Sequence, residues 1–180
     1  MEKDIAKVLI TEEVLQKRIK ELAEEMNRKY AGKNPIFVGV LKGVVMFFAD
    51  MVKRINIPCQ IDFMWITSYS GTQSTGIMNV KQDISSDIKG RHVVILEDIF
   101  DTGNSLQYTY DHLLSKEPAS LEICTLLDKP GGRKPHITVK PQYVGFEIPD
   151  AFVVGYGLDY DGYYRNLPYI GILDPKVYEK

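Results

Sequence analysis

Apolar positions along the chain keep two rhythms. Val14, Leu15, Ile19, Leu22 and Met26 recur at three- and four-residue steps, the spacing of one helix face. Thr11 stands before them as an N-cap, Glu12 and Glu13 suit the positive end of the helix dipole, and Gly32 and Pro35 end the segment. Ile36 to Leu41 is a continuous apolar run, which predicts a short strand buried on both faces. A second helix is expected over roughly Val44 to Arg54, with Phe47, Phe48 and Met51 toward the core. Cys59, Ile61, Phe63 and Trp65 alternate with Gln60, Asp62 and Met64, the period of a strand.

The same reading gives buried strands at His92–Leu96 and Leu121–Leu127, and a helix from about Asn104 to Ser115 between them. Short strands are expected at Tyr143–Phe146, Phe152–Val154 and Ile170–Leu173. Strands alternating with helices predict an α/β domain with a mostly parallel central sheet flanked by helices. Ligands in such sheets bind beyond the carboxyl ends of the strands. Lys42, Asp101 and Lys129 each follow an apolar strand, so one crevice can collect all three. The rhythm fails from Ser68 to Asn79, where two glycines and six hydroxyl side chains in twelve residues predict a mobile loop.

A chain of 180 residues suits one compact domain. The formal charge of −2 gives no footprint for nucleic acid or an anionic membrane. No signal segment and no membrane span is read, which predicts a cytoplasmic protein; Cys59 and Cys124 are accordingly expected to be reduced, buried and structural.

The densest chemistry lies in Val93–Ser105. An apolar strand delivers Glu97 and Asp98, then Asp101, and the chain turns at Gly103 between Thr102 and Ser105. Carboxylates at the end of a buried strand suit a metal-bound or polyhydroxylated ligand, and a small-residue turn opening a helix suits a phosphate. A site for a sugar's hydroxyls and its phosphate is the simplest joint reading. Asp101-Thr102-Gly103 also occurs in aspartic proteases, but those need two such aspartates sharing a proton, and here two further acids precede it. No Walker lysine follows the turn and no Gly-x-Gly-x-x-Gly is present. His92, His112 and His136 lack metal-ligand spacing. Taken alone, Lys42, the Lys129-Pro-Gly-Gly-Arg-Lys segment and the tyrosine-rich tail read as solvated turns and packing.

Together these residues resemble a known family. Val93–Leu106 is similar to the phosphoribosyl-diphosphate signature of type I phosphoribosyltransferases. Four further blocks resemble the hypoxanthine-guanine branch of that family: Val40-Leu-Lys-Gly-Val; Ser68-Tyr with Gln73-Ser-Thr-Gly; Thr125-Leu-Leu-Asp-Lys-Pro; and Tyr143 to Tyr160, followed by Tyr164-Arg-Asn-Leu-Pro. The blocks run in the family's order over about residues 36–173.

The resemblance implies transfer of the phosphoribosyl group from phosphoribosyl diphosphate to a 6-oxopurine, hypoxanthine or guanine, with magnesium as cofactor. It implies that Lys42, Gly43 and Arg165 lie beside the diphosphate, and that Glu97 and Asp98 hold the ribose hydroxyls directly or through magnesium. Thr102, Gly103, Asn104 and Ser105 would cradle the 5′-phosphate. Asp101 would be the catalytic acid–base group near purine N7. Lys129 would donate to the 6-oxo group, Phe152 would stack on the base, Val153 would offer backbone contacts, and Asp159 would ligate a second magnesium. Ser68 and Tyr69 would count among the phosphoribosyl-diphosphate residues and open a mobile loop that closes over the site and excludes water. The family also implies a core of about residues 36–145, a hood from about 1–10 and 146–180, and a homodimer or homotetramer. Two features depart from the pattern: Asn104-Ser105 stands where some members carry Lys-Thr, and the first 30 or so residues hold no family motif. Two other readings compete, a nucleotide- and RNA-binding regulator on the same fold and an adenine-specific transferase.

Overall fold

The computed structural model describes residues 1–68 and 78–179. Tyr69 and most of the loop expected at 68–79 therefore lie outside the described residues. Strand β1 (Ile5–Ile10) and helix α1 (Glu12–Lys29) come first, then β2 (Ile36–Leu41), α2 (Val45–Val52), β3 (Gln60–Ser68) and β4 (Met78–Gln82). They are followed by β5 (His92–Phe100), α3 (Asn104–Leu114), β6 (Ser120–Asp128), β7 (Tyr143–Glu147), β8 (Val153–Val154), β9 (Ile170–Leu173) and the short helix α4 (Pro175–Tyr178).

Six strands form the main sheet in the order β4-β3-β2-β5-β6-β7. All neighbours are parallel except β3 and the edge strand β4. Alternation along each strand sends side chains to two separate cores. Phe37, Val94, Leu96, Cys124 and Leu126 face α1 and α2, where Leu15, Ile19, Leu22, Phe47 and Met51 meet them. Ile36, Val38, Val93, Ile95 and Ile123 face the other way, toward Leu106 and Leu113 of α3. This is the expected α/β architecture with helices on both faces. At the β7 edge, Arg18 of α1 donates to the backbone oxygens of Val144 and Gly145 at 2.8 and 3.0 Å, covering groups that another strand could have paired.

A second, three-stranded antiparallel sheet, β1-β9-β8, joins the two ends of the chain. Its own core gathers Val154, Tyr164, Leu167 and Leu173. Tyrosines of the tail pack within the chain: Tyr156 donates to Asp50 at 2.5 Å and Tyr164 to Asp4 at 3.1 Å, while Tyr163 is exposed.

Several expectations need correction. The amino terminus carries a strand before its helix, because Ile5–Ile10 finds β9 as a partner. Met78 and Asn79, assigned to the loop, belong to β4. The carboxylates Glu97 and Asp98 lie inside β5, which continues to Phe100. Cys124 is buried, but Cys59 is only partly so; both thiols are free. Among the described residues, no helix is long and apolar enough to cross a membrane.

Candidate active site

The carboxyl ends of β5 and β6 build the crevice. In their parallel register Phe100 faces Asp128, so the next residues, Asp101 and Lys129, emerge side by side. The Lys129 N–H donates to the Phe100 oxygen at 3.0 Å, and the Lys129 ammonium reaches the Asp101 carboxylate at 2.8 Å. Asp150 lies farther from the same ammonium, at 3.7 Å. A cavity of about 300 Å³ opens over this pair, lined also by Asp98, Ile99, Phe152, Val153, Leu158 and Asp159. That is the small end of the range for ligand sites, suited to a flat heterocycle more than to a large substrate.

Glu97 and Asp98 are buried neighbours near the end of β5, close enough for their carboxyl groups to interact. Asp98 lines the large cavity. Glu97 opens on an adjoining hollow of about 70 Å³ formed with Asp101, Thr102, Gly103 and Ser105. Both carboxylates are buried. Burial, and then the Asp98 charge, push Glu97 well above the ordinary carboxylate range. Burial also raises Asp98, against the restraining pull of its hydrogen bonds and of Arg165. The Oε2 atom of Glu97 has no hydrogen-bond partner among the described residues. A buried carboxyl oxygen of this kind can accept from a hydroxyl or hold a cation.

The turn after β5 is shaped by what its backbone must do. Gly103 is the N-cap of α3 with φ of 88°, a conformation that favours glycine, and a side chain there would strike Ile137 and Phe100. With no cap side chain to accept from them, the first-turn amides can serve an anion.

A strap running from Lys129 to Val139 braces this turn. Arg133 donates to the oxygens of Asp101 and Phe100 at 3.1 and 3.0 Å, and its guanidinium covers the Phe100 ring at 3.3 Å. The Lys134 N–H donates to Thr102 at 3.0 Å, and His136 Nε2 sits 3.0 Å from the Asn104 side-chain oxygen. Gln107 of α3 in turn accepts from the Thr138 and Val139 amides at 2.9 and 3.1 Å.

The far wall comes from the tail and from the turn after β2. Arg165 pairs with Asp159 at 2.9 Å and donates to the Gly157 oxygen at 2.6 Å. Asp159 also accepts from the Gly162 N–H at 2.8 Å. Gly43 is pressed between Asp98 and Gly157: a Cβ on Gly43 would collide with Asp98 Oδ2, and one on Gly157 with the Gly43 oxygen. The peptide bond between Leu41 and Lys42 is cis.

Asp98, Asp101, Lys129, Phe152, Val153 and Asp159 thus share one cavity; Glu97, Thr102, Gly103 and Ser105 share the adjoining one; Gly43 and Arg165 stand behind Asp98. Asn104 is turned to His136. Lys42 does not join them through its side chain, whose ammonium rests 5.4 Å from the centre of the Trp65 ring. The backbone of Ser68 ends β3, and Tyr69 lies outside the described residues. Sequence reasoning missed Arg133, Gly132 and Gly157. Gly132 packs so closely on Asp101 that a Cβ would meet its carboxylate. Two glycines beside Lys129 were a legible sign of close approach, but as a Pro-Gly-Gly segment they also read as an ordinary turn.

Among the described residues no group of three or more histidine, cysteine or carboxylate side chains forms a ready metal cage. Glu97, Asp98 and Asp159 border the two cavities with carboxylate oxygens, the donor type that hard divalent cations take.

Residues 10–161 match the profile of the phosphoribosyl transferase domain. The chain is 50% identical over 179 residues to the hypoxanthine-guanine phosphoribosyltransferase of Streptococcus pneumoniae, covering 99% of this chain and 98% of that protein. A crystal structure of a hypoxanthine phosphoribosyltransferase from Staphylococcus aureus superposes with a TM-score of 0.95 at 49% identity, covering 100% of this chain and 97% of that one. The Trypanosoma cruzi hypoxanthine phosphoribosyltransferase in complex with its product IMP superposes with a TM-score of 0.90 at 40% identity, covering 98% of both chains.

Proposed function

The chain belongs to the phosphoribosyltransferase family, and from that premise we propose how its residues divide the work of a purine-salvage enzyme. The reaction transfers the 5-phosphoribosyl group of phosphoribosyl diphosphate to hypoxanthine or guanine, giving IMP or GMP and diphosphate. The observation that carries the residue assignment is the Lys129–Asp101 pair in the large cavity.

The 6-oxo group and N7 of a 6-oxopurine are adjacent on one edge of the base. A paired ammonium and carboxylate meet that edge with a donor for the oxygen and an acceptor for an N7 proton. As N9 bonds to the anomeric carbon, the bond from that carbon to diphosphate breaks and the N7 proton passes to Asp101. An amino group at C6 would find only a donor opposite it, so adenine is disfavoured. Phe152 stacks on the base and the Val153 backbone meets its edge.

Glu97 and Asp98 hold the ribose hydroxyls, directly or through magnesium, and the unpaired Glu97 oxygen supports this reading. The amides and hydroxyls of Thr102, Gly103, Asn104 and Ser105 receive the 5′-phosphate. Gly43, the Lys42 backbone and Arg165 receive the diphosphate, with Asp159 beside them. Magnesium at Glu97 and Asp98, and a second ion at Asp159, each shared with the substrate's oxygens, would neutralise charge growing on the departing diphosphate. Ser68 and Tyr69 are assigned to the same diphosphate site.

A second copy of the chain is expected to cover apolar surface that one copy leaves open. Ile61 and Trp65 are exposed on the side of β3 that carries Phe63, which packs on Phe48 of α2, and Val45 and Met46 of α2 are exposed as well. A homodimer or homotetramer by sedimentation would support this, and a monomer would remove it.

The test of the whole reading is direct. With magnesium, phosphoribosyl diphosphate and hypoxanthine, the protein should release IMP and diphosphate. A chelator should stop turnover, and added magnesium should restore it. Turnover that is indifferent to chelation would remove the metal assignment. Absence of turnover with every 6-oxopurine would remove the reaction.

A further inference from the structure

We propose that Tyr178, on the last helix of the chain, is a positioning residue for purine binding: it holds the Phe152 ring in the orientation that the base stacks on. The inference rests on the reading of Phe152 as the stacking surface and extends it to a residue far along the tail.

Phe152 is 39% exposed, lines the large cavity and follows the Pro149-Asp150-Ala151 turn. A half-exposed aromatic side chain after a turn needs a brace to stay in one rotamer. The Tyr178 ring stacks against it, with centroids 5.0 Å apart and planes 26° from parallel. Tyr160 closes the group edge-on, at 5.7 Å from Phe152 and 6.4 Å from Tyr178. Neither tyrosine lines the cavity. One face of the Phe152 ring is therefore taken from behind, and the other is left for the cavity and its occupant.

The brace is itself anchored. The Leu173 N–H donates to the Phe152 oxygen at 2.9 Å, which fixes the backbone of Phe152 to the end of β9. Asp174 then caps α4 by accepting from the Lys176 N–H at 3.0 Å, and its own N–H donates to Asp4 at 2.8 Å. Pro175 opens the helix with a preset φ. Tyr178 thus reaches Phe152 from an element tied to both chain ends. Without its ring, the incoming base would have to immobilise Phe152 itself, and that ordering would be subtracted from base affinity. The reacting atoms, held by Asp101, Lys129 and the sugar-phosphate site, would be left in place.

The experiment measures KM for hypoxanthine, KM for phosphoribosyl diphosphate, kcat and the Kd of IMP in the full chain. Tyr178→Ala should raise KM for hypoxanthine and the Kd of IMP roughly three- to tenfold, the range that an aromatic pair contributes. KM for phosphoribosyl diphosphate and kcat should stay within about twofold. Tyr178→Phe should behave as wild type. Tyr178→Leu, which keeps apolar bulk without a ring, should repeat the alanine result and serves if the alanine variant folds poorly. Val177→Ala, on the same helix, should leave all four quantities unchanged. Unchanged base affinity in both the alanine and leucine variants would overturn the proposal, and so would tighter base binding, which would mean that the ring obstructs the cavity. A uniform loss of kcat and both affinities, shared by Val177→Ala, would reduce Tyr178 to a structural role and overturn it too. If wild type turns over no 6-oxopurine, the reading of the reaction falls first, and this inference with it.

Discussion

The Lys129 ammonium and the Asp101 carboxylate are 2.8 Å apart because two parallel strands end in step. Each residue is the first beyond its strand, so the pair is set by register before any ligand arrives. Nearby, Gly132 leaves room for the carboxylate, and Arg133 fixes the backbone oxygen of Asp101. An acid and a cation held this way need little rearrangement to meet neighbouring atoms on a purine edge.

Asp101→Asn keeps the size of the side chain and removes its ability to take a proton. The expected result is a fall in kcat of about 10- to 1000-fold, the scale of lost acid–base help. Thermal unfolding should move little, since the pair is partly exposed. Steady-state rates with hypoxanthine check this, and an unchanged kcat would take Asp101 out of the chemistry.

Lys129→Met removes the donor proposed for the 6-oxo group at nearly constant length. A hydrogen bond from a charged group contributes ~1.5–3 kcal/mol, so kcat/KM for hypoxanthine and guanine should fall roughly 10- to 100-fold. The preference over adenine should narrow by a similar factor. A panel of purine bases reads both effects.

Gly43→Ala puts a methyl group where Asp98 Oδ2 lies, in contact with backbone that Gly157 also approaches. Overpacking of this kind costs ~1–3 kcal/mol, which urea unfolding should register. Activity should fall further than stability alone explains, because Asp98 must move. A variant with wild-type affinity for phosphoribosyl diphosphate would show that this close contact is irrelevant to the site.

Acid should unfold the protein partly through two carboxylates remote from the site. Burial would raise Asp62, but the Ser86 side chain and the amides of Ser86, Phe63 and Ser85 outweigh it and hold Asp62 below its ordinary value of 3.8. Burial would likewise raise Glu122, yet Lys29, Tyr30 and Tyr143 hold it below 4.5. A depressed folded value means stability that is present above the unfolded value and lost as pH falls through the folded one. The stability gap between wild type and Asp62→Asn, or Glu122→Gln, should therefore be full near neutral pH and close below about pH 4. Glu97 and Asp98 act in the opposite sense, being raised, so the difference between wild type and variant is the informative quantity. A gap that persists into acid would contradict the assignment.

Much of this architecture was legible in the pattern of apolar residues. Continuous runs such as Ile36–Leu41 and Val93–Leu96 read as strands covered on both faces, and the face of α1 was marked by its spacing. The strand Ile5–Ile10 was not legible, because Lys7 and half-exposed residues blur its alternation and its partner is more than 150 residues away. The acids were readable as a cluster, but not that Asp98 lines one cavity and Glu97 the adjoining one. The aim of Lys42 was equally hidden: a residue after a strand can turn to the crevice or to a neighbouring ring, and only packing against Trp65 decides it. Arg133 was concealed by its setting in a polar turn, since its role depends on carbonyls that β5 supplies.

The antiparallel pairing of Ile5–Ile10 with Ile170–Leu173 sets an order on biogenesis. During synthesis the first strand emerges long before the last, so it must wait without its partner while the central sheet condenses. The wall that bears Phe152 can be finished only when the ribosome has delivered the final segment. A polypeptide stopped before residue 150 would carry Asp101 and Lys129 but lack the wall that Phe152, Val153, Leu158 and Asp159 supply.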